Sequence, residues 1–180
     1  MPARSCLPGN AHAVSTPPPE LRVSEILRQL TEASVDFVVI GGIAVVLLGS
    51  ARNTKDLDIT FATDEANLEA LGEVLTSLNA RLRGVHEDVP FVPDARTLRQ
   101  VSLLTLETDA GWLDLLAEPP GGPPYATLRA NAAELDLGGF HIRVADIDDM
   151  IKMKNTAGRL QDLADIDELI TIKRLRQKKS

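Results

Sequence analysis

The chain has 180 residues, 44% of them hydrophobic, which suits one compact domain. A formal net charge of −7 excludes a simple polycation, and 3% aromatic residues are too few for a protein that stacks single-stranded bases on aromatic platforms. Cys6 is the single cysteine, which excludes an intramolecular disulfide and a cysteine-based zinc site, and His12, His86 and His141 lack ligand spacing.

Residues 1–19, rich in Pro, Ser, Ala and Gly, are expected to form a mobile tail ahead of a single domain over 20–180. A helix should start near Glu20, with Leu21, Val23, Ile26, Leu27 and Leu30 as its apolar stripe. Asp36 to Ile40 reads as a buried strand broken by Gly41-Gly42, and Ile43 to Leu48 as a short buried helix. Leu57 to Phe61 reads as a second strand, and 64–79 as an amphipathic helix carrying Leu68, Leu71, Val74, Leu75 and Leu78 on one side. The prolines and charges of 84–97 imply a loop. Val101 to Leu106 and Gly111 to Leu116 form two strands of a hairpin joined by 107–110. After the Pro/Gly loop 119–124, Leu135 to Leu137 and Phe140 to Val144 form a second hairpin turning at Gly138-Gly139. Helices over about 145–156 and 160–175 finish the chain. The order implies an α/β or α+β domain, a small mixed β-sheet with flanking helices. No apolar run approaches the roughly 20 residues that span a bilayer, and no apolar stretch follows the N-terminal arginine. The expected protein is soluble and cytoplasmic, with no membrane contact.

The chemistry concentrates between residues 39 and 59. A strand ends in Gly41-Gly42 where a helix begins, so a phosphate can approach the backbone and meet free N–H groups. Asp56-Leu57-Asp58 follows on a strand, and residues two apart on a strand share a face. Adjacent carboxylates repel, and a divalent cation such as Mg²⁺ or Mn²⁺ resolves that repulsion with water and substrate phosphates as further ligands. A third acid, Asp114, sits in the apolar segment Trp112-Leu113-Asp114-Leu115-Leu116, where an isolated charge needs a partner. If its strand lies beside Asp56-Leu57-Asp58, three acids surround one metal–nucleotide site. Each element also has a plainer reading: a solvated strand end for the Asp pair, a simple turn for the glycines, an edge position for Asp114.

Ile40-Gly41-Gly42, Asp56-Leu57-Asp58 and Leu113-Asp114-Leu115, in that order and spacing, resemble the signature of the DNA polymerase β-like nucleotidyltransferase superfamily. The run from Asp148 to Ile166, with Lys154, Arg159, Asp162 and Asp165, is similar to the C-terminal helix of the small AbiEii and MenT-like nucleotidyltransferases of bacterial toxin–antitoxin systems. The resemblance covers residues 22–172 and implies a minimal nucleotidyltransferase fold whose C-terminal helices complete the site. It implies an NTP substrate, Asp56, Asp58 and Asp114 as metal ligands, an RNA acceptor such as a tRNA 3′ end, and a cognate antitoxin. By this resemblance Lys154 contacts the triphosphate, because it lies eight residues before Asp162. Periodicity agrees, since Ile147, Met150, Ile151 and Lys154 share one helix face. Lys152 stays open as an alternative one repeat away. Arg52 is a weaker candidate for the phosphates. Thr54 occupies the place of a Ser or Thr beside the first metal ligand, and is otherwise a plain loop hydroxyl. Asp162 and Asp165 either orient Lys154, Arg159 or the base, or form a solvated face near a helix N-terminus. Arg159 is either a nucleotide contact or a helix cap. The basic run Lys173 to Lys179 fits a phosphate backbone or complements a helix dipole. Two rival functions remain: transfer to a small molecule such as an aminoglycoside, and a non-catalytic nucleotide-binding or interaction module.

Overall fold

Phe37, Val38, Val39 and Ile40 are all buried, as a strand flanked on both edges and covered on both faces must be. In the computed structural model, which describes residues 20–85 and 90–178, this strand lies inside a single mixed sheet. The proposed tail 1–19, with Cys6 and His12, and also His86, lie outside the described residues.

The elements run α1 (Val23–Glu32), β1 (Phe37–Ile40), α2 (Gly41–Leu47), β2 (Asp56–Phe61), α3 (Glu65–Ser77), β3 (Arg81–Leu82), α4 (Ala95–Arg99), β4 (Leu103–Thr108), β5 (Gly111–Leu116), α5 (Tyr125–Asn131), β6 (Ala133–Asp136), β7 (His141–Val144), α6 (Ile147–Ala157) and α7 (Leu160–Gln177). The seven strands take the order β3-β4-β5-β2-β1-β7-β6. β1 is antiparallel to β2 and parallel to β7, β2 is parallel to β5, and the outer pairs β3/β4, β4/β5 and β6/β7 are antiparallel. This is the small mixed α+β sheet with flanking helices that the element order implied.

Alternation along β4 and β5 separates two faces. Leu104, Leu106, Leu113 and Leu115 are buried, whereas Leu103 is exposed and Thr105 and Glu107 half-exposed on the opposite side. The stripes of α1 (Ile26, Leu27, Leu30) and α3 (Leu68, Leu71, Leu75) are wholly buried. Asp64 caps α3 by accepting from Asn67 N at 3.2 Å. The buried Asn67 amide then donates to Ala62 O at 2.7 Å and accepts from Asp36 N at 2.6 Å, which fixes the start of α3 to the ends of β1 and β2.

The structure departs from expectation at three short elements. The segment 84–97, read as a loop, contains the start of α4, capped by Asp94, whose carboxylate accepts from Thr97 N at 2.7 Å. Its five residues bury only Ala95 and Leu98, too little for a periodic signal. Likewise β3 is two residues long, and α5 follows Pro124 with Leu128 as its one buried residue. The first hairpin turn is also tighter than expected. β4 continues to Thr108, whose hydroxyl donates to Gly111 O at 2.7 Å and accepts from Ala110 N at 3.1 Å. At the C-terminal end, Gly158 closes α6 in the left-handed conformation (φ +64°) and lets α7 fold back on it.

Candidate active site

The acids converge through strand register. Asp58 pairs with Asp114 and Asp56 with Trp112 across the parallel β2/β5 ladder. Register partners in a ladder project to the same face, as do residues two apart on one strand. Asp56, Asp58 and Asp114 therefore share one face, with Trp112 beside them.

The two glycines are required by this crowding. Gly41 opens α2 at φ +66°, and a Cβ there would lie 2.0 Å from Asp58 Oδ2. A Cβ on Gly42 would lie 2.7 Å from Thr54 Oγ1 and 3.7 Å from Arg52 Cζ. Their lack of side chain first admits Asp58 and Thr54, a reason the sequence pattern did not reveal. Thr54 Oγ1 in turn donates to Asp56 Oδ1 at 3.2 Å.

Burial, then the neighbouring charges of Asp56 and Asp114, push the Asp58 carboxyl up to about 7, with the Gly42 N–H and Lys154 pulling the other way. Asp114 is also raised, by burial first, although Arg83 draws it down. Arg83 was not anticipated. Its Nη2 donates to Asp114 Oδ2 at 3.0 Å, and its guanidinium lies over the Trp112 ring, 4.8 Å from the centroid. Sequence offers no motif for it: Arg83 follows a two-residue strand and meets an acid 31 positions away.

Among the described residues no group of three or more acids, histidines or cysteines is arranged to hold a metal ion, and Asp114 is bonded to Arg83. The donor chemistry nevertheless fits a hard cation. The set is all oxygen, it carries excess negative potential, and Asp114 Oδ1 is buried with no hydrogen-bond partner.

A cationic wall stands behind the acids. Lys154 is buried, its Nζ donating to Asp165 Oδ2 at 2.5 Å and to Asp162 Oδ1 at 3.3 Å. Arg52 pairs with the same Asp165 carboxylate. Asp162 Oδ2 accepts from Arg159 N at 3.1 Å, so Arg159 takes the N-cap position of α7 with its side chain exposed. Its charge is still felt at Asp114. The two aspartates thus orient Lys154 and Arg52 and are no solvated face.

Lys152 and Lys154 differ in their settings. Its side chain is 63% exposed, against 10% for Lys154, and it pairs with Asp149 at 3.0 Å. Two residues turn a helix by about 200°, which carries Lys152 away from the acids. The C-terminal basic run is also partly structural: Lys173 pairs with Asp148 at 2.5 Å, and Arg176 donates to Leu48 O at 3.2 Å. Arg174 and Lys178 are exposed.

Residues 25–179 match the family described as "Nucleotidyl transferase AbiEii toxin, Type IV TA system". The fold is similar to the lincomycin-bound crystal structure of the lincosamide antibiotic adenylyltransferase LnuA, with 20% identity and a TM-score of 0.59 over 85% of this chain and 99% of that one. It is also similar to ANT(2")-Ia in complex with adenylyl-2"-tobramycin, with 17% identity and a TM-score of 0.52 over 87% of this chain and 93% of that one. No curated protein matches the chain.

Proposed function

From the premise that the chain belongs to the AbiEii nucleotidyl transferase toxin family and is a nucleotidyltransferase, we propose that it moves a nucleotidyl group from an NTP to a hydroxyl of RNA, such as a tRNA 3′ end, with Mg²⁺ or Mn²⁺ at the acids. The observation that carries this reading is the face shared by Asp56, Asp58 and Asp114 with buried Lys154 behind it. Asp56 and Asp58 would hold the cation, with Asp114 beside them. A bound divalent ion would supply Lewis-acid stabilisation of the triphosphate.

The chain's own groups supply the rest. Lys154 and Arg52 neutralise phosphate charge, and the N–H groups at Gly41 and Gly42 open the helix toward an anion. The acceptor oxygen bonds to the α-phosphorus, the bond to the bridging α–β oxygen breaks, and pyrophosphate leaves. The hydroxyl proton passes to Asp114. The toxin description of the family and the exposed Arg174 and Lys178 favour RNA as acceptor. A toxin of such a system implies a cognate antitoxin. Residues 20–180 act as one domain in this reading, in the cytoplasm where NTPs and RNA are found. No helix among the described residues is long and apolar enough to cross a membrane.

The second reading, a small-molecule acceptor, draws on the likeness to LnuA and ANT(2")-Ia, which at such identities concerns the fold alone. The test incubates the purified protein with total RNA and each labelled NTP, with an aminoglycoside and a lincosamide in parallel reactions. Labelled RNA with one NTP is the expected result. Label on the antibiotic alone overturns the RNA reading, and no transfer to any acceptor overturns the enzymatic one.

A further inference from the structure

Arg83 and Trp112 stand beside Asp114, and nucleotide binding leaves both of them unused. Arg83 N donates to Thr105 O at 3.0 Å, and Thr105 is the register partner of Asp114 on β4. This brings Arg83 to the edge of the acid face. Trp112 supports the guanidinium from below and Asp114 Oδ2 holds one edge of it.

The pair is incomplete. Arg83 Nη1 and Asp114 Oδ1 are both buried and make no hydrogen bond among the described residues. One is an orphan donor and the other an orphan acceptor, on side chains already bonded to each other. Buried polar groups are rarely left so, and each such case asks for a reason. The two side chains as wholes are 23% and 12% exposed, so the pair borders solvent although the two orphan atoms are themselves enclosed. A ligand completing both groups must offer a donor to the carboxylate and an acceptor to the guanidinium from neighbouring atoms. Vicinal hydroxyls do this: one O–H donates while the adjacent oxygen accepts.

We propose that Arg83, seated on Trp112 and paired with Asp114, determines acceptor specificity by reading the vicinal 2′- and 3′-hydroxyls of a terminal ribose. This deepens the RNA reading and rests on it. The 3′-hydroxyl donates to Asp114 Oδ1, and the 2′-oxygen accepts from Arg83 Nη1. As the 3′-oxygen bonds to the α-phosphorus and pyrophosphate departs, the 3′ proton moves to Asp114 while Arg83 keeps its bond to the 2′-oxygen. A deoxyribose end leaves Arg83 Nη1 unpartnered, so the site distinguishes RNA from DNA.

The experiment uses the RNA labelled in the assay above, prepared with either a ribonucleotide or a 2′-deoxyribonucleotide as its last residue. Both ends keep the attacking 3′-hydroxyl. Wild-type protein should label the ribose end roughly ten- to a hundredfold faster, the worth of one hydrogen bond to a charged group. In Arg83→Gln the ratio should fall toward one. In Arg83→Lys, which keeps the charge and loses the fork, it should fall as well. A purely structural role for Arg83 would slow both ends equally and leave the ratio intact. Equal labelling of both ends by the wild type, or an undiminished ratio in both variants, overturns this inference while the RNA reading stands. No labelling of either RNA by the wild type overturns the RNA reading and the inference with it.

Discussion

Asp58→Asn should make the metal-free protein more stable at neutral pH while abolishing transfer. Burial and the charges of Asp56 and Asp114 raise the Asp58 carboxyl from its ordinary 3.8 to about 7. At about 1.4 kcal/mol per pKa unit, ionising it in the folded protein costs on the order of 4 kcal/mol. The folded state holds this proton more tightly than the unfolded chain does. The cost is therefore absent below about pH 3.8, grows as the pH rises, and is complete above about pH 7. Asparagine has no charge to strand, and its side-chain oxygen still faces the Gly42 N–H that Asp58 faces now. The assay is urea unfolding in EDTA from pH 4 to 8, followed by fluorescence of Trp112, the single tryptophan, which is the register partner of Asp56. The two proteins should be equally stable near pH 4 and diverge upward through pH 7 in favour of the variant. Parallel pH curves, or a variant less stable than wild type at pH 8, would refute the reasoning that Asp58 is a stranded charge waiting for a cation.

Lys154→Ala should destabilise the protein by about 3 kcal/mol, because Asp162 and Asp165 lose a buried partner, and should weaken NTP binding. Lys152→Ala should leave NTP binding unchanged, and calorimetric titration of both variants decides whether the helix face is correctly read. Gly41→Ala should cost about 2 kcal/mol or more, from the positive φ together with the 2.0 Å approach to Asp58. Combining it with Asp58→Ala should recover part of that cost, which a double-mutant cycle by chemical denaturation reports. Mg²⁺ or Mn²⁺ with an NTP should stabilise the wild type by a few kcal/mol at saturation and so raise its melting temperature, while Zn²⁺ should have no comparable effect on an all-oxygen site. Charge reversal at Arg174 and Lys178, which are exposed, should weaken RNA labelling most at low salt, where the lost contacts are least screened, and spare NTP binding; labelling equal to wild type at both of two salt concentrations removes them from the acceptor path.

Much of the site was legible because its signals are local. Asp56 and Asp58 share a face through the two-residue period of a strand, and Lys154 shares the buried face of α6 with Ile147 and Met150 through helical phase. The pairing of Asp58 with Asp114 joins strands more than fifty positions apart, and only the conditional placement of one strand beside the other could be stated in advance. Gly41 was marked as special for an incomplete reason, because a pattern shows that a side chain is absent but not which group fills the space. Arg83 was invisible, since nothing local marks an arginine whose partner arrives through the register of β3, β4 and β5. The elements missed, β3, α4 and α5, are those too short to bury a periodic stripe.

Lys154 on α6 and Arg52 on the loop before β2 both meet Asp165 on α7, so the two cations are tied together by an element translated after both of them. The acids are all translated by residue 114, within a sheet whose central strands are then nearly complete. A nascent or prematurely terminated chain lacking α6 and α7 has the acid face without Lys154 or the aspartates that seat it. The Lys154–Arg52–Asp165 cluster is therefore assembled only once synthesis has passed Asp165, well after the three acids have been made, so the order of translation separates the two halves of the site.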